Sequence, residues 1–477
     1  MIISSVATAS VTLRSATSTA VSTATSITAT DATTYLSTAL PDESLTYSAP
    51  RRSLSWATPP EDSISEHMLG NVRQGSTAQM LQGLGHTLLG RLGKTSENYQ
   101  QSVSEITAGT TGSVGSSPAV SGHHHVDLQI TLASGRTVTV SIAFDHATQD
   151  KGAGLAVSIN VDGDLSQGES AAIASLADGF ENALQGIGTN SDVSPVSAVV
   201  TPIDISGLMQ FDDKFISSID LKVSETKDMN LNKLSFHADS TQRSFSMKGI
   251  NGEMSFNVDL TGAAIPGTEA QQAASIAKYL AQFDAANARA QGEKQLIEQF
   301  KSIFSQLESK LPGTPEKNAP AGSTTESASR DYFTGLADFT ASMSGKFSTN
   351  LDKRLATKMG TLHYEVSQQT SVSNREVADN VVSATQTVTS HLVADTLKGR
   401  NGLAVDLEHG NYDHYHVDDS SASTTRFATQ GARVLSATSD QTINQFQRFE
   451  RIEHHHVTQS TDTPNTLKLT RDLLQSI

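Results

Sequence analysis

"VDLQITLASGRTVTVSIAF", residues 126–144, is the stretch on which the fold turns. Val126, Leu128, Ile130 and Leu132 alternate with polar residues, "ASGR" supplies a turn, and Val138, Val140, Ile142 and Phe144 alternate again. A period of two puts every apolar side chain on one face of a strand, so this is a hairpin with one face to bury. Leu155, Val157, Ile159 and Val161 add a third segment of the same kind. Such a face needs a cover. Ile173, Leu176, Ala177, Phe180, Leu184 and Ile187 recur at helical spacing and supply one. The unit over 122–199 therefore reads as three strands and a helix.

Outward from it, Ile219, Leu221 and Val223, then Leu234, Phe236 and Ala238, then Phe245 and Met247, repeat the alternation. Asn251-Gly252 suits a tight turn before Met254, Phe256, Val258 and Leu260. This makes 200–265 an antiparallel β region, able to extend the first sheet or build its own. The helical segment 266–311 opens with Thr268 and Gln271 at capping-box spacing. Ile276, Leu280 and Phe283 mark one helix; Leu296, Phe300, Ile303, Phe304, Leu307 and Leu311 mark another. Residues 312–330, rich in Pro, Gly, Ser and Thr, read as a linker. In 331–477, a β-leaning mixed region, "TLHYEVSQQTSV" and "YDHYHVDD" look extended. "REVADNVVSATQTVTSHLVADTL" has helical spacing but many β-branched residues, and "INQFQRFERIEHHH" fits neither period.

The region 1–121 is Ser/Thr/Ala-rich and expected to be mostly disordered, because it offers few large apolar residues to offset ordering entropy. One candidate amphipathic helix, 63–92, interrupts it, with Ser63 and Glu66 as its capping pair. It reads as a helix packed on the main body, with partner or chaperone binding as the alternative. The expected fold class is thus α+β: small antiparallel sheets with packed helices, a central helical segment, a β-leaning C-terminal region and a disordered N-terminus.

The 477-residue chain has 36% hydrophobic residues, 5% aromatics, a net charge of -16 and no cysteine. The negative charge disfavours nucleic-acid backbones and anionic lipid. Without cysteine, disulfides and thiolate chemistry are excluded. No stretch has the length and apolarity of a membrane span. The N-terminus lacks a basic region followed by an apolar run, so no secretory signal peptide is expected. Its Ser/Thr richness is similar to the uncleaved leaders of some bacterial secreted effectors. The expected localisation is therefore cytoplasmic, or outside the cell by a route that uses no such signal.

"SINVDGDLSQGE", 158–169, resembles a twelve-residue EF-hand loop, which implies calcium ligands at Ser158, Asn160, Asp162, the Asp164 carbonyl, Ser166 and Glu169. Serine at the first position and the preceding strand depart from that pattern. The other reading uses the same residues as a turn at Asp162-Gly163 and a capping box from Ser166 to Glu169, and it needs fewer assumptions. A second cluster, His409, Asp413, His414, His416 and Asp418, offers imidazoles and carboxylates of the kind zinc prefers. Triplets of histidine stand at 123–125 and 454–456. If 412–419 is a strand, His414 and His416 share a face; a solvated polar strand is the plainer reading. "GRLGKTS" fails as a phosphate loop because Leu88 stands where the first glycine belongs.

These observations favour a non-catalytic binding or interaction protein with protein partners, exported from a bacterial cell. The alternatives are an effector with an enzymatic site after residue 330, and a His/Asp metal-binding protein.

Overall fold

The computed structural model describes residues 53–106, 120, 124–148, 152–192, 201–224, 231–250, 252–262, 266–292, 294–312, 332–350, 352–375, 381–430 and 433–475. Of region 1–121, expected to be mostly disordered, residues 53–106 and 120 are described and carry strands and helices, while the rest, like nearly all of the expected linker at 312–330, lies outside the described residues. So do His123 and Asn251.

The alternation in 126–144 becomes β3 (His124–Leu132) and β4 (Thr137–Asp145), paired antiparallel, with β5 (Gly154–Val161) beside β4. β1 (Ser53–Trp56) and β2 (Tyr99–Ile106) continue the sheet beyond β5. On the other side β3 pairs with β6 (Ile216–Ser224), through Val126↔Val223 and Leu128↔Leu221. From there a meander runs through β7 (Leu231–Asp239), β8 (Gln242–Gly249), β9 (Gly252–Asp259) and β10 (Asp338–Ser348). It ends in five long strands: β11 (Lys358–Arg375), β12 (Val381–Lys398), β13 (Tyr412–Gln430), β14 (Arg433–Glu453) and β15 (His456–Asp472).

One sheet of 15 strands results, in the order β1-β2-β5-β4-β3-β6 and then consecutively to β15. The expectation of small separate sheets is corrected by this. Period-two alternation identifies strands and their buried face, but it does not say which strand pairs with which. The β3–β6 pairing is what merges the two expected sheets.

The helices lie against one face. α1 (Ser63–Asn71), α2 (Thr77–Leu81) and α3 (Leu84–Leu92) replace the single helix expected over 63–92. Asp62, not Ser63, caps α1, its carboxylate accepting from Ser65 N at 2.8 Å. Met68, Val72, Met80, Leu81, Leu84 and Leu88 are buried, so this segment packs on the main body. The one helix expected here is two, α4 (Gln167–Ala174) and α5 (Ala177–Asp192), and with Leu176 between them they bury the stripe Ile173, Leu176, Phe180, Leu184 and Ile187. α6 (Glu269–Ala290) and α7 (Lys294–Leu307) form an antiparallel pair broken at Gln291, whose φ is 56°. Phe283 of α6 meets Phe300 and Phe304 of α7 at 5.0 and 5.1 Å between ring centroids. Tyr279 and Phe304 both meet Phe339 of β10 edge to face, tying helices to sheet.

Residues 375–397, helical by spacing, lie from Val381 onward in β12. Their β-branched side chains outweigh the spacing, because they fit a pleated surface better than a helix. "INQFQRFERIEHHH" lies in β14, its turn to β15 and the start of β15, where α6 reaches it through Arg289, which donates to Gln447 at 2.6 Å. With little to bury on either face there is no alternation to read. β15 is exposed along almost its whole length.

Candidate functional site

Ser158 and Asn160 lie in β5, on the sheet face away from the helices, between buried Val157 and Ile159 and beyond. Gly163 takes a φ of 79°, which its missing Cβ permits, and turns the chain. Ser166 then caps α4 and Glu169 completes the box, each accepting from the other's backbone N–H. Asp162 and Asp164 are exposed. The place a calcium ion would take is served by Arg136: its Nη2 donates to Glu169 Oε1 and Oε2 at 2.8 and 2.7 Å, and its Nη1 donates to the Asp164 carbonyl. Hydrogen bonds from the Ser166 hydroxyl and amide, then from Ser134 and Arg136, outweigh burial and hold Glu169 at about 2. Among the described residues no group of three or more His, Cys, Asp or Glu could hold a metal ion, so the calcium expectation is corrected.

The same finding corrects the zinc expectation. The five residues of that cluster disperse among separate partners. His409 lies 3.0 Å from Asp406 in a loop, Arg451 donates to Asp413 at 3.1 Å, and Asp418 lies 2.9 Å from His391. His414 and His416 do share a strand face, where His414 Nε2 and His416 Nδ1 each lie 3.0 Å from Asp395 Oδ1. His414 Nδ1 lies 3.2 Å from Glu450. Burial would raise the Asp395 carboxyl, but its bonds to His416 and His414 keep it below the usual range. The second histidine triplet is largely a hairpin turn: His454 and His455, at φ 49° and 64°, join β14 to β15.

Arg136, Asp395 and Glu450 carry these arrangements, and sequence reading named none of them. The register was the missing signal, since Asp395 faces His416 and His414 faces Glu450 only once β12, β13 and β14 are aligned.

The same register builds a larger feature. Opposite the helices, Gln100, Ser158, Ser141, Asp127, Lys222 and Ser235 pair in succession across β2, β5, β4, β3, β6 and β7. Ser246, Ser255, Ser342, Glu365, His391, Ser420, Asn444 and Thr466 continue that line from β8 to β15. A parallel line two residues along includes Asp220, His237, Ser244, Asn257, Thr340, Ser367 and Thr389. These side chains are exposed or half-buried, whereas their chain neighbours Phe236, Phe245, Phe256, Ala341 and Leu392 are buried. At about 4.8 Å per strand spacing, the polar line runs for roughly 60 Å.

His237 sits within it, its Nδ1 3.0 Å from Asp220 and its Nε2 3.1 Å from Asp239. Burial alone would lower its pKa; the bonds to Asp239 and Asp220 outweigh burial and raise it. Asp239, which burial would raise, is held at about 2 by the Thr241 hydroxyl and amide and by His237.

At one end of the sheet, beside the α6–α7 turn, lies a cavity of about 780 Å³. Ile250, Leu296, Phe347, Met359, Leu362 and Leu397 give it an apolar lining, and Lys346, Lys353, Asp395 and His414 add charge or polarity.

No protein-family model, curated protein or solved structure matches this chain. Among the described residues no helix is long and apolar enough to cross a membrane.

Proposed function

We propose that this protein is a non-catalytic binding protein that holds a protein partner against the helix-free face of its sheet. The observation that carries this reading is the unbroken polar line from Gln100 to Thr466. A sheet anchored on one side by a helical layer presents these side chains at fixed spacing, so a partner docks on a surface that loses little conformational freedom. A standard interface needs about 800 Å² per partner, and this face exceeds that several-fold. The net charge of -16 favours a protein surface over a phosphate backbone. Export from a bacterial cell belongs to the same reading, on the Ser/Thr/Ala-rich composition of residues 1–60; removing that segment should abolish export, and unchanged export would delete this part.

Because the chain has no cysteine, a single introduced thiol can carry a photo-crosslinker to a chosen place. Ser255→Cys places it on the polar face and Ala277→Cys on the exposed side of α6. The expected result is one partner captured in the native host from Ser255 and not from Ala277, and competed away by unlabelled protein. Capture that is equal at both positions, or that competitor leaves unchanged, would overturn the reading.

A further inference from the structure

β15 closes the sheet at one end, and among the described residues no strand pairs with its outer side. Sheets usually cover or shorten such an edge, because an open row of N–H and C=O groups templates another strand. β15 is 17 residues long, against four for β1 at the opposite end. Nor does the chain fold back over it: Leu473, directly after β15, turns inward against the cluster of Phe333, Ala384, Phe427 and Ala437.

The register identifies the open backbone groups. The Phe446 amide donates to Asp419 of β13 at 3.0 Å, so the Phe446 backbone faces β13. Its pairing with Pro464 is then the kind without mutual hydrogen bonds, where a missing N–H costs the β14–β15 ladder nothing. The even-numbered residues from Ser460 to Thr470 accordingly direct their N–H and C=O groups outward. Of these, only Pro464 lacks a donor.

We propose that β15 pairs antiparallel with β15 of a second copy, about a dyad at Asn465. This register sets Asp462 against Lys468 of the other copy, twice, and Leu467 and Leu469 against Thr463 and Thr461. Asp462 already accepts from Arg448 at 2.8 and 2.9 Å, so a row of alternating charge, Arg448, Asp462 and Lys468, crosses the junction. A dyad at Leu467 would instead set Asp462 against Asp472, and one at Asp462 or Lys468 would set a charge against itself. Pro464 falls opposite Thr466, and each copy forgoes one hydrogen bond there.

Residues 458–472 of the two copies overlap along about 50 Å of strand, and with a sheet about 10 Å thick the contact covers roughly 1,000 Å² in total. That is the lower bound for a specific contact, so the dimer dissociates in the micromolar range. The dyad stands perpendicular to the sheet, which leaves both helical layers on one side and joins the two helix-free faces edge to edge. The pairing does not depend on the partner surface proposed above.

Sedimentation velocity of the full chain from about 1 to 200 μM tests the pairing. Monomer should give way to dimer, and to nothing larger, as concentration rises. Because the chain has no cysteine, Asn465→Cys meets only its own copy across the dyad and should form a disulfide-linked dimer under mild oxidation. Gln459→Cys, equally exposed, lies about 40 Å from its counterpart and should not. Lys468→Glu places like charges face to face and should weaken dimerisation by about tenfold or more, with an unchanged melting midpoint at about 1 μM. Monomer at every concentration, an open-ended series of species from β15 pairing with β1, equal crosslinking from the two cysteines, or undiminished dimerisation of Lys468→Glu would overturn the proposal.

Discussion

Arg136 grips Glu169 through two hydrogen bonds, at 2.8 and 2.7 Å, from a hairpin turn to the first turn of α4. The pair joins the sheet to its helical cover at the point where the chain passes between them. Glu169 is buried and also completes the capping box.

Glu169→Gln should therefore cost about 2–4 kcal/mol, since it strips a partly buried guanidinium of its carboxylate and weakens the cap. The sign with pH follows from a carboxyl held at about 2 in the fold. Its contribution is present above the unfolded value near 4.5 and is lost as pH falls towards 2. Denaturant melts of both proteins between pH 2 and 7 should converge at the acid end. Millimolar calcium should leave the wild-type melting midpoint unmoved; an upward shift would restore the loop to metal binding.

His237 carries the opposite sign. Both ring nitrogens face carboxylates, an arrangement in which both can donate only as imidazolium. With its pKa raised, its contribution is complete below the unfolded value of about 6.5 and is lost as pH rises through the folded value. Chemical-shift titration of His237 should give a midpoint above that of an exposed histidine. The stability gap between wild type and His237→Gln should narrow on going from pH 6 to 8.

Glu308 lies fully buried just after α7, with Oε2 accepting from Ala337 N at 3.2 Å and Oε1 without a partner among the described residues. Burial pushes its carboxyl up to about 8, against the pull of the Ala337 amide and Arg243. Between the unfolded value near 4.5 and about 8 the folded state binds the extra proton, so this group makes stability fall as pH rises. Glu308→Gln should flatten that slope and raise the melting midpoint at pH 9. A lower midpoint at pH 9 would show that the ionised carboxylate is accommodated.

Hydrogen exchange should be graded across the sheet. β4 has strands on both sides and a buried face, while β15 is an exposed edge. Amides of Val138, Val140 and Ile142 should exchange only on global unfolding, and those of Thr461 to Lys468 by local opening, orders of magnitude faster.

Much of this architecture was legible in the residues. Apolar side chains at Val126 to Phe144 marked two strands because one face is covered, and Ile173 to Ile187 marked the helices that cover it. Ser166 and Glu169 marked a helix start because a capping box is local in sequence. What stayed hidden depends on partners far away in the chain. Leu128↔Leu221 merges the sheets, Arg136 reaches Glu169, and Asp395 meets two histidines, each by register rather than spacing. The polar line across the sheet was invisible for the same reason, since each strand contributes only one polar residue to it. In β14 and β15 few side chains are buried, so no apolar stripe announces them.

Whether the helix-free face binds the partner is read from the affinity of the crosslinked partner for a face variant. Ser255→Tyr with Thr340→Tyr adds two bulky, strand-compatible side chains to exposed positions in neighbouring polar lines. Affinity should fall by about tenfold or more with an unchanged melting midpoint. Full affinity in this folded variant would contradict it.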